Sequence, residues 1–447
     1  MNSESQEPRI DHVVRPFQRF TAQEASAGIV LLACAIAALI WANSPWSHSY
    51  EELWETHLKI GFGDYTLDET LHFWINDALM AVFFFVVGLE IKREVLVGEL
   101  ANLRQAALPI MAAVGGMAIP AALYMALNAG GPGSTGWGIP MATDIAFSLG
   151  VLALLGSRIP ITLKVFLTAF AIVDDIGAVA VIALFYTDEV VWTNVAAAVG
   201  LLGVLAAINW LGVRHAMVYA ILGIGVWFSF LTSGIHATVA GILIAATIPS
   251  SVRINASEFV EHGRAMLDGF ELGIGSNGAE HTTIEQSAAV EELERACMDV
   301  ESPLQQLEHD MHPWVAFGVM PLFALANAGV AVDSGLLDTL SGRVSLGVLL
   351  GLIVGKQVGI FTFAWLTIRF GIASMPQGVS WRQIYGISWL GGIGFTMSIF
   401  ITGLALEGEQ LVSESKLAIL VASVICGVIG WWILRIPNRP TRHPGIE

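Results

Sequence analysis

The chain has 447 residues, is 55% hydrophobic and only 13% charged, and has a mean hydropathy of +0.67, which excludes an ordinary water-soluble domain of this size. A net charge of −17 argues against a nucleic-acid partner, and Cys34, Cys297 and Cys426 form an odd set without metal-ligand spacing or a disulfide framework.

Residues 1–23 are polar and mixed in charge, with no short apolar core of a cleaved signal; they read as an N-terminal tail. Apolar runs of about 20 residues then predict twelve spans, at 24–43, 72–95, 106–128, 137–155, 161–186, 193–211, 215–230, 234–249, 312–331, 345–369, 383–406 and 413–435. The seventh and eighth are short and divided only by a Thr-Ser-Gly turn. Together, 24–435 reads as one twelve-helix membrane domain, followed by a tail at 436–447. Between the first two spans, residues 56–68 alternate as a β-hairpin does. Between the eighth and ninth, an acidic loop over 250–311 carries 13 acidic residues against three arginines to residue 310, with helix expected near 284–300. With the N-terminus inside, 17 of the 21 Lys and Arg residues fall on the inner side and Lys59, Arg343 and Lys416 on the outer. That asymmetry predicts both termini in the cytoplasm and the hairpin outside.

Five ionisable residues fall within predicted spans and away, or nearly away, from their ends: Asp77, Asp144, Asp174, Asp175 and Lys356. A charged carboxylate in hydrocarbon costs ~2.5–3.5 kcal/mol on insertion scales, and two side by side repel. A structural reading would have Lys356 bridge a carboxylate and merely tie helices together. One lysine cannot neutralise four carboxylates, however, so the excess points to a bound cation or to protons. Carboxylates with a nearby threonine hydroxyl offer hard oxygen ligands to an alkali cation and nothing suited to a soft transition metal.

Asp144 follows Thr143 in a stretch where Gly136, Gly138 and Pro140 discourage a continuous helix, and a second interruption-prone run occupies Gly391 to Gly394. Each is the middle span of a three-span unit, and the count of crossings makes the two units enter from opposite faces. That topology permits an inverted repeat around two broken, crossing helices, where helix ends can balance small ions. Close packing alone would also explain the glycines. Near the inner face, Glu90 and Glu94 share a helical side with Arg93 between them, while His309 and His312 sit beside Glu308. These could equally form an ordinary charged helix end.

Several of these segments are long and specific: Trp74 to Phe84 (WINDALMAVFF), Gly88 to Glu94 (GLEIKRE), Ala142 to Ser148 (ATDIAFS), Phe170 to Ala178 (FAIVDDIGA), Leu322 to Gly329 (LFALANAG) and Gly392 to Phe400 (GIGFTMSIF). Over roughly residues 20–435 the chain resembles the NhaA-type sodium/proton antiporters, an inverted-repeat transporter family. The resemblance implies that Asp174 and Asp175 form the cation- and proton-carrying pair, with Asp175 the direct ligand. It implies that Thr143 and Asp144 support the crossing of the broken helices, and that Lys356 pairs with Asp174. Asp77 enters as an accessory site within a matching motif. Glu90, Arg93, Glu94, Glu308, His309 and His312 match a pH-response cluster. The implied activity is electrogenic, pH-regulated export of Na⁺ or Li⁺ against entering H⁺ by alternating access, with no cofactor, in a bacterial inner membrane, by a homodimer joined at the hairpin. Two departures stand out: Gln357-Val358 follows the lysine where some members carry Pro-Leu, and the acidic loop is long. A sodium-coupled symporter of an organic solute is the alternative. The Gly61-Phe62-Gly63-Asp64 string of an intramembrane aspartyl protease lacks any Tyr-Asp partner.

Overall fold

The computed structural model describes residues 24–62, 65–187, 189–272, 284–331 and 336–436. The expected tails, residue 436 aside, lie outside these residues, as does the Gly63-Asp64 turn of the hairpin. The chain is a helical multi-pass membrane protein, with one small sheet among the described residues. In order run α1 (Glu24–Ala42), α2 (Ser47–Glu55), β1 (His57–Phe62), β2 (Tyr65–Thr70), α3 (Leu71–Val97), α4 (Leu103–Asn128), a 3₁₀ run (Ser134–Met141), α5 (Ile145–Ala153), α6 (Ile161–Phe185), α7 (Trp192–Trp210), α8 (Ala216–Leu231) and α9 (Thr238–Thr247). The remainder is α10 (Ala256–Leu272), α11 (Ile284–Val300), α12 (Pro303–Trp314), α13 (Met320–Asn327), α14 (Leu336–Ser341), α15 (Arg343–Arg369), α16 (Trp381–Gly391), α17 (Phe395–Ala405) and α18 (Glu409–Arg435).

Among the described residues, seven helices are long and apolar enough to cross a membrane, or up to nine if two bent pairs each count as one span. Those pairs bend by 114° between α1 and α2 and by 42° between α16 and α17. Twelve spans were expected; α8 and α9 are apolar but short, and the ninth expected span is divided by a π turn at Val315–Val319. Large apolar side chains such as Ile40, Trp210 and Ile221 remain exposed, as helices facing lipid require. The acidic loop holds more helix than its composition implied, with α10 preceding the expected α11. Arg253 anchors its base, its guanidinium donating to Asp299 Oδ1 at 3.1 Å and its backbone N–H to the Asp299 carbonyl.

The hairpin pairs His57 with Thr70 through Phe62 with Tyr65 in antiparallel register, two residues beyond its expected end. Asp68 accepts from Lys59 Nζ at 2.6 Å and lies 3.1 Å from His57 Nδ1; the Lys59 hydrogen bond first, then His57, holds its carboxyl below the usual carboxylate range. Trp74 Nε1 donates to the Leu58 carbonyl and ties β1 to α3.

What positions the site is the packing of α15 on α4, and of α4 on α6. Gly115 and Gly359 bring the α4 and α15 backbones together: a Cβ at Gly359 would lie 2.1 Å from the Gly115 carbonyl oxygen. Only hydrogen fits there. This close approach sets Lys356, three residues before Gly359, deep between the helices.

Candidate functional site

Asp174 and Asp175 occupy the middle of α6, where leucine, isoleucine, phenylalanine and alanine build an otherwise apolar helix started by Pro160. Both are fully buried, as are Asp144, Thr143 and Lys356. The lysine is aimed by a local defect. In the π turn Gly351–Gly355 the Lys356 N–H donates to the Gly351 carbonyl, five residues back, which rotates the following turn relative to a regular helix. Lys356 Nζ then donates to Asp174 Oδ1 at 3.0 Å, to Asp174 Oδ2 at 2.9 Å and to Thr143 Oγ1 at 2.8 Å. The Phe170 ring closes over the ammonium with its centroid at 5.8 Å. One cation and one carboxylate thus satisfy each other in the buried interior, where an isolated charge of either sign would be costly.

Asp175 is placed differently. Its Oδ1 is buried and accepts no hydrogen bond among the described residues, while Asp174, Glu90, Asp144 and Lys356 all lie within electrostatic reach. A buried oxygen without a donor, surrounded by more anions than cations, is set up for a proton or a small cation.

The two interrupted helices meet beside this pair. Asp144 ends the extended stretch after the 3₁₀ run and caps α5, its Oδ1 accepting from Phe147 N at 2.9 Å. Its Oδ2 accepts from the backbone N of Thr396, at 3.0 Å, and from the Thr396 hydroxyl. Both carboxylate oxygens therefore face the start of a helix, α5 and α17, where unpaired N–H groups and the helix dipole favour negative charge. In return, Asp144 N donates to the Ile393 carbonyl at 2.7 Å, Thr143 Oγ1 to the Gly391 carbonyl at 2.8 Å and Ser148 Oγ to the Leu390 carbonyl at 2.8 Å. Ser398 Oγ closes the exchange by donating to the Ile139 carbonyl at 2.8 Å. Carbonyls freed at one break are satisfied by side chains of the other. Thr143 links the groups, since its oxygen accepts from Lys356 and donates to the break.

Of the expected site residues, Thr143, Asp144, Asp174, Asp175 and Lys356 come together. Asp77 lies apart, half-buried in the π turn Trp74–Leu79 of α3. The second group assembles in part: Arg93 Nε donates to Glu308 Oε1 at 2.9 Å, and Arg93 Nη2 stands 3.2 Å from Glu94 Oε1. Glu94 Oε2 accepts from the Glu99 N–H, and Glu308 Oε2 is buried without a hydrogen-bond partner among the described residues. Glu90 lies within electrostatic reach of Glu308 and of Asp175. His309 and His312 are exposed on α12 and enter none of these bonds. Thr396 and Ser148 were not singled out from sequence. A hydroxyl in an apolar span reads as a packing residue, and nothing in their spacing points to a partner 242 or 252 positions away.

The chain is similar to known proteins over nearly its full length. The family model described as "Na+/H+ antiporter 1" matches residues 18–434. The chain is 49% identical over 430 residues to the Na(+)/H(+) antiporter NhaA of Oleidesulfovibrio alaskensis, covering 96% of each chain. It is 49% identical over 425 residues to the Na(+)/H(+) antiporter NhaA of Koribacter versatilis, covering 95% of this chain and 92% of that one. With the Na(+)/H(+) antiporter NhaA 2 of Syntrophotalea carbinolica the identity is 48% over 437 residues, covering 97% and 99%.

Proposed function

The chain belongs to the Na⁺/H⁺ antiporter 1 family, and from that premise we propose that it exchanges Na⁺ or Li⁺ for H⁺ across a bacterial inner membrane. Asp175 is the residue that must be bare to take a cation, and Asp174 is the partner of Lys356. The observation that carries this reading is the asymmetry of the pair: Asp174 is held by Lys356 through two hydrogen bonds, whereas Asp175 Oδ1 is buried without a donor among the described residues. Protons and a small cation compete for the same oxygens, so the binding of one expels the other. Alternating exposure of such a site to the two faces is enough for coupled exchange, with no cofactor. If Asp174 and Asp175 each carry a proton inward for one cation outward, transport moves net charge.

In this reading Thr143 and Asp144 keep the crossing intact as the site alternates. Asp144 balances the positive ends of two helices that point at one another. Twelve spans arranged as inverted three-helix repeats, with both termini in the cytoplasm, accord with the distribution of basic residues and with the two matched breaks. The Arg93–Glu94–Glu308 group, with Glu90 in electrostatic reach of Glu308 and of Asp175, is the proposed pH-response element. Asp77 is accessory, and the exposed strands at 56–68 are the proposed contact with a second copy.

The test uses sealed membrane vesicles with a preformed pH gradient. Added NaCl should collapse the gradient with no organic solute present, and Asp175→Asn should abolish that response. Sodium that moves no protons at any pH from about 6 to 9 would sink the antiport reading.

A further inference from the structure

Directly after Lys356 comes Gln357, and its side chain meets the second helix break rather than the ion pair. It is 4% exposed, with Nε2 donating to Cys426 Sγ of α18 at 3.5 Å. Cys426 Sγ in turn reaches the Leu352 carbonyl at 3.7 Å, inside the π turn that aims Lys356. The Oε1 of Gln357 is buried without a hydrogen-bond partner among the described residues. Gly392 lies against all three groups: a Cβ there would stand 2.6 Å from Gln357 Nε2, 2.7 Å from Leu352 O and 2.8 Å from Cys426 Sγ. The break is thus seated on a small polar cradle within an otherwise apolar core, and its neighbours in sequence hold the site. Gly391 O accepts from Thr143 and Ile393 O from Asp144 N.

We propose that Gln357 is a positioning residue for cation binding. Two consecutive side chains of one turn divide the work: Lys356 holds Asp174 and Thr143, and Gln357 holds the break to which Thr143 is tied. The distance from Gly391 O to Lys356 Nζ is therefore set from both ends, through Thr143 Oγ1 on one side and through the Gln357–Cys426–Leu352 cradle on the other. Loss of the amide loosens the break, lets Thr143 drift from Lys356, and weakens cation binding without removing any ligand. An amide also holds the break without adding a charge, as the interior requires. The proposal rests on the exchange reading for its choice of Na⁺ as the probe.

The experiment compares wild type with Gln357→Met, which keeps side-chain length and loses both polar atoms, and with Cys426→Val and Cys426→Ser. Two readouts are taken: the KM and kcat for Na⁺ in vesicles, and the Na⁺ concentration that half-maximally raises the melting temperature of the purified full chain. Gln357→Met should raise KM and the stabilisation midpoint together by about two- to tenfold, the value of one neutral hydrogen bond, with a smaller change in kcat. Cys426→Val should move both in the same direction, and Cys426→Ser, which keeps an acceptor, should restore them. Unchanged KM and midpoint in Gln357→Met overturn the proposal, because a packing role alone lowers stability and leaves sodium affinity in place. Should Gln357→Met fail to fold, unchanged values in Cys426→Val overturn it instead. The melting readout needs no transport. A wild type stabilised by sodium yet moving no protons would sink the antiport reading while still deciding the role of Gln357.

Discussion

Replacing Lys356 by methionine removes the cation paired with Asp174 and leaves that carboxylate without a neutralising partner among the described residues. Lys356 and Asp174 are both 0% exposed and joined by hydrogen bonds of 2.9 and 3.0 Å. Deleting one partner of such a pair costs ~3–5 kcal/mol, whereas replacing both by uncharged groups of similar volume is often neutral. Lys356→Met should therefore destabilise strongly, Asp174→Asn should do likewise by stranding the ammonium, and the double replacement should recover most of the loss. Written as a double-mutant cycle, the coupling should reach at least ~2 kcal/mol, near the upper end for residues in direct contact. The assay is equilibrium unfolding of the purified protein in detergent at fixed pH and without sodium. Single losses that simply add, with coupling below ~0.5 kcal/mol, would mean that the ion pair is not the interaction holding α6 to α15, and the division of roles between the two aspartates would fall with it.

Three further outcomes follow from the same geometry. Asp144→Ala removes a helix cap and strands the Thr396 hydroxyl and N–H, so stability should fall by ~2–4 kcal/mol; a loss under ~0.5 kcal/mol would show that the crossing does not depend on that carboxylate. Arg93→Gln unties Glu94 from Glu308 and should move the midpoint of the pH–activity curve by about half a unit, ~0.7 kcal/mol, with maximal rate retained; a fixed midpoint would remove the Arg93 group from pH response. Asp68 has a lowered pKa in the folded hairpin, so its contribution is present above about pH 4 and is lost as pH falls through the folded value. Crosslinked dimer should accordingly decline in Asp68→Asn and when the hairpin is deleted, with transport largely kept, and undiminished dimer after deletion would exclude that contact.

Much of this site was legible before any coordinate. The two aspartates of α6, the lysine and the glycine-interrupted runs are conspicuous because charge and helix breakers are costly in apolar spans, and each cost asks for a reason. What the sequence did not disclose is who satisfies whom. Thr396 and Ser148 are ordinary hydroxyls by composition, and their role exists only because two breaks some 250 positions apart are brought into contact. Gln357 was noticed as a departure near the lysine, but hydropathy carries no sign that it faces Gly392 and Cys426 rather than a neighbouring helix. The π turns that aim Lys356 and re-register α3 were equally invisible, since they change the hydrogen-bond partner and not the residue type. Among spans, α8 and α9 are too short to count by length alone, as their short apolar runs imply, and the ninth expected span is divided by a π turn that no residue pattern announces. His309 and His312 stand out by residue type; in the structure both are exposed, and the bonds of this group are made by Arg93.

The central claim is that sodium and protons occupy the same oxygens of Asp175. Proton release on sodium binding tests it most directly, measured by titration calorimetry of the purified chain in buffers of differing ionisation enthalpy. Sodium should bind to wild type with release of at least about one proton at mildly alkaline pH, and Asp175→Asn should neither bind sodium nor release protons. Sodium binding to wild type with no proton release would contradict the account.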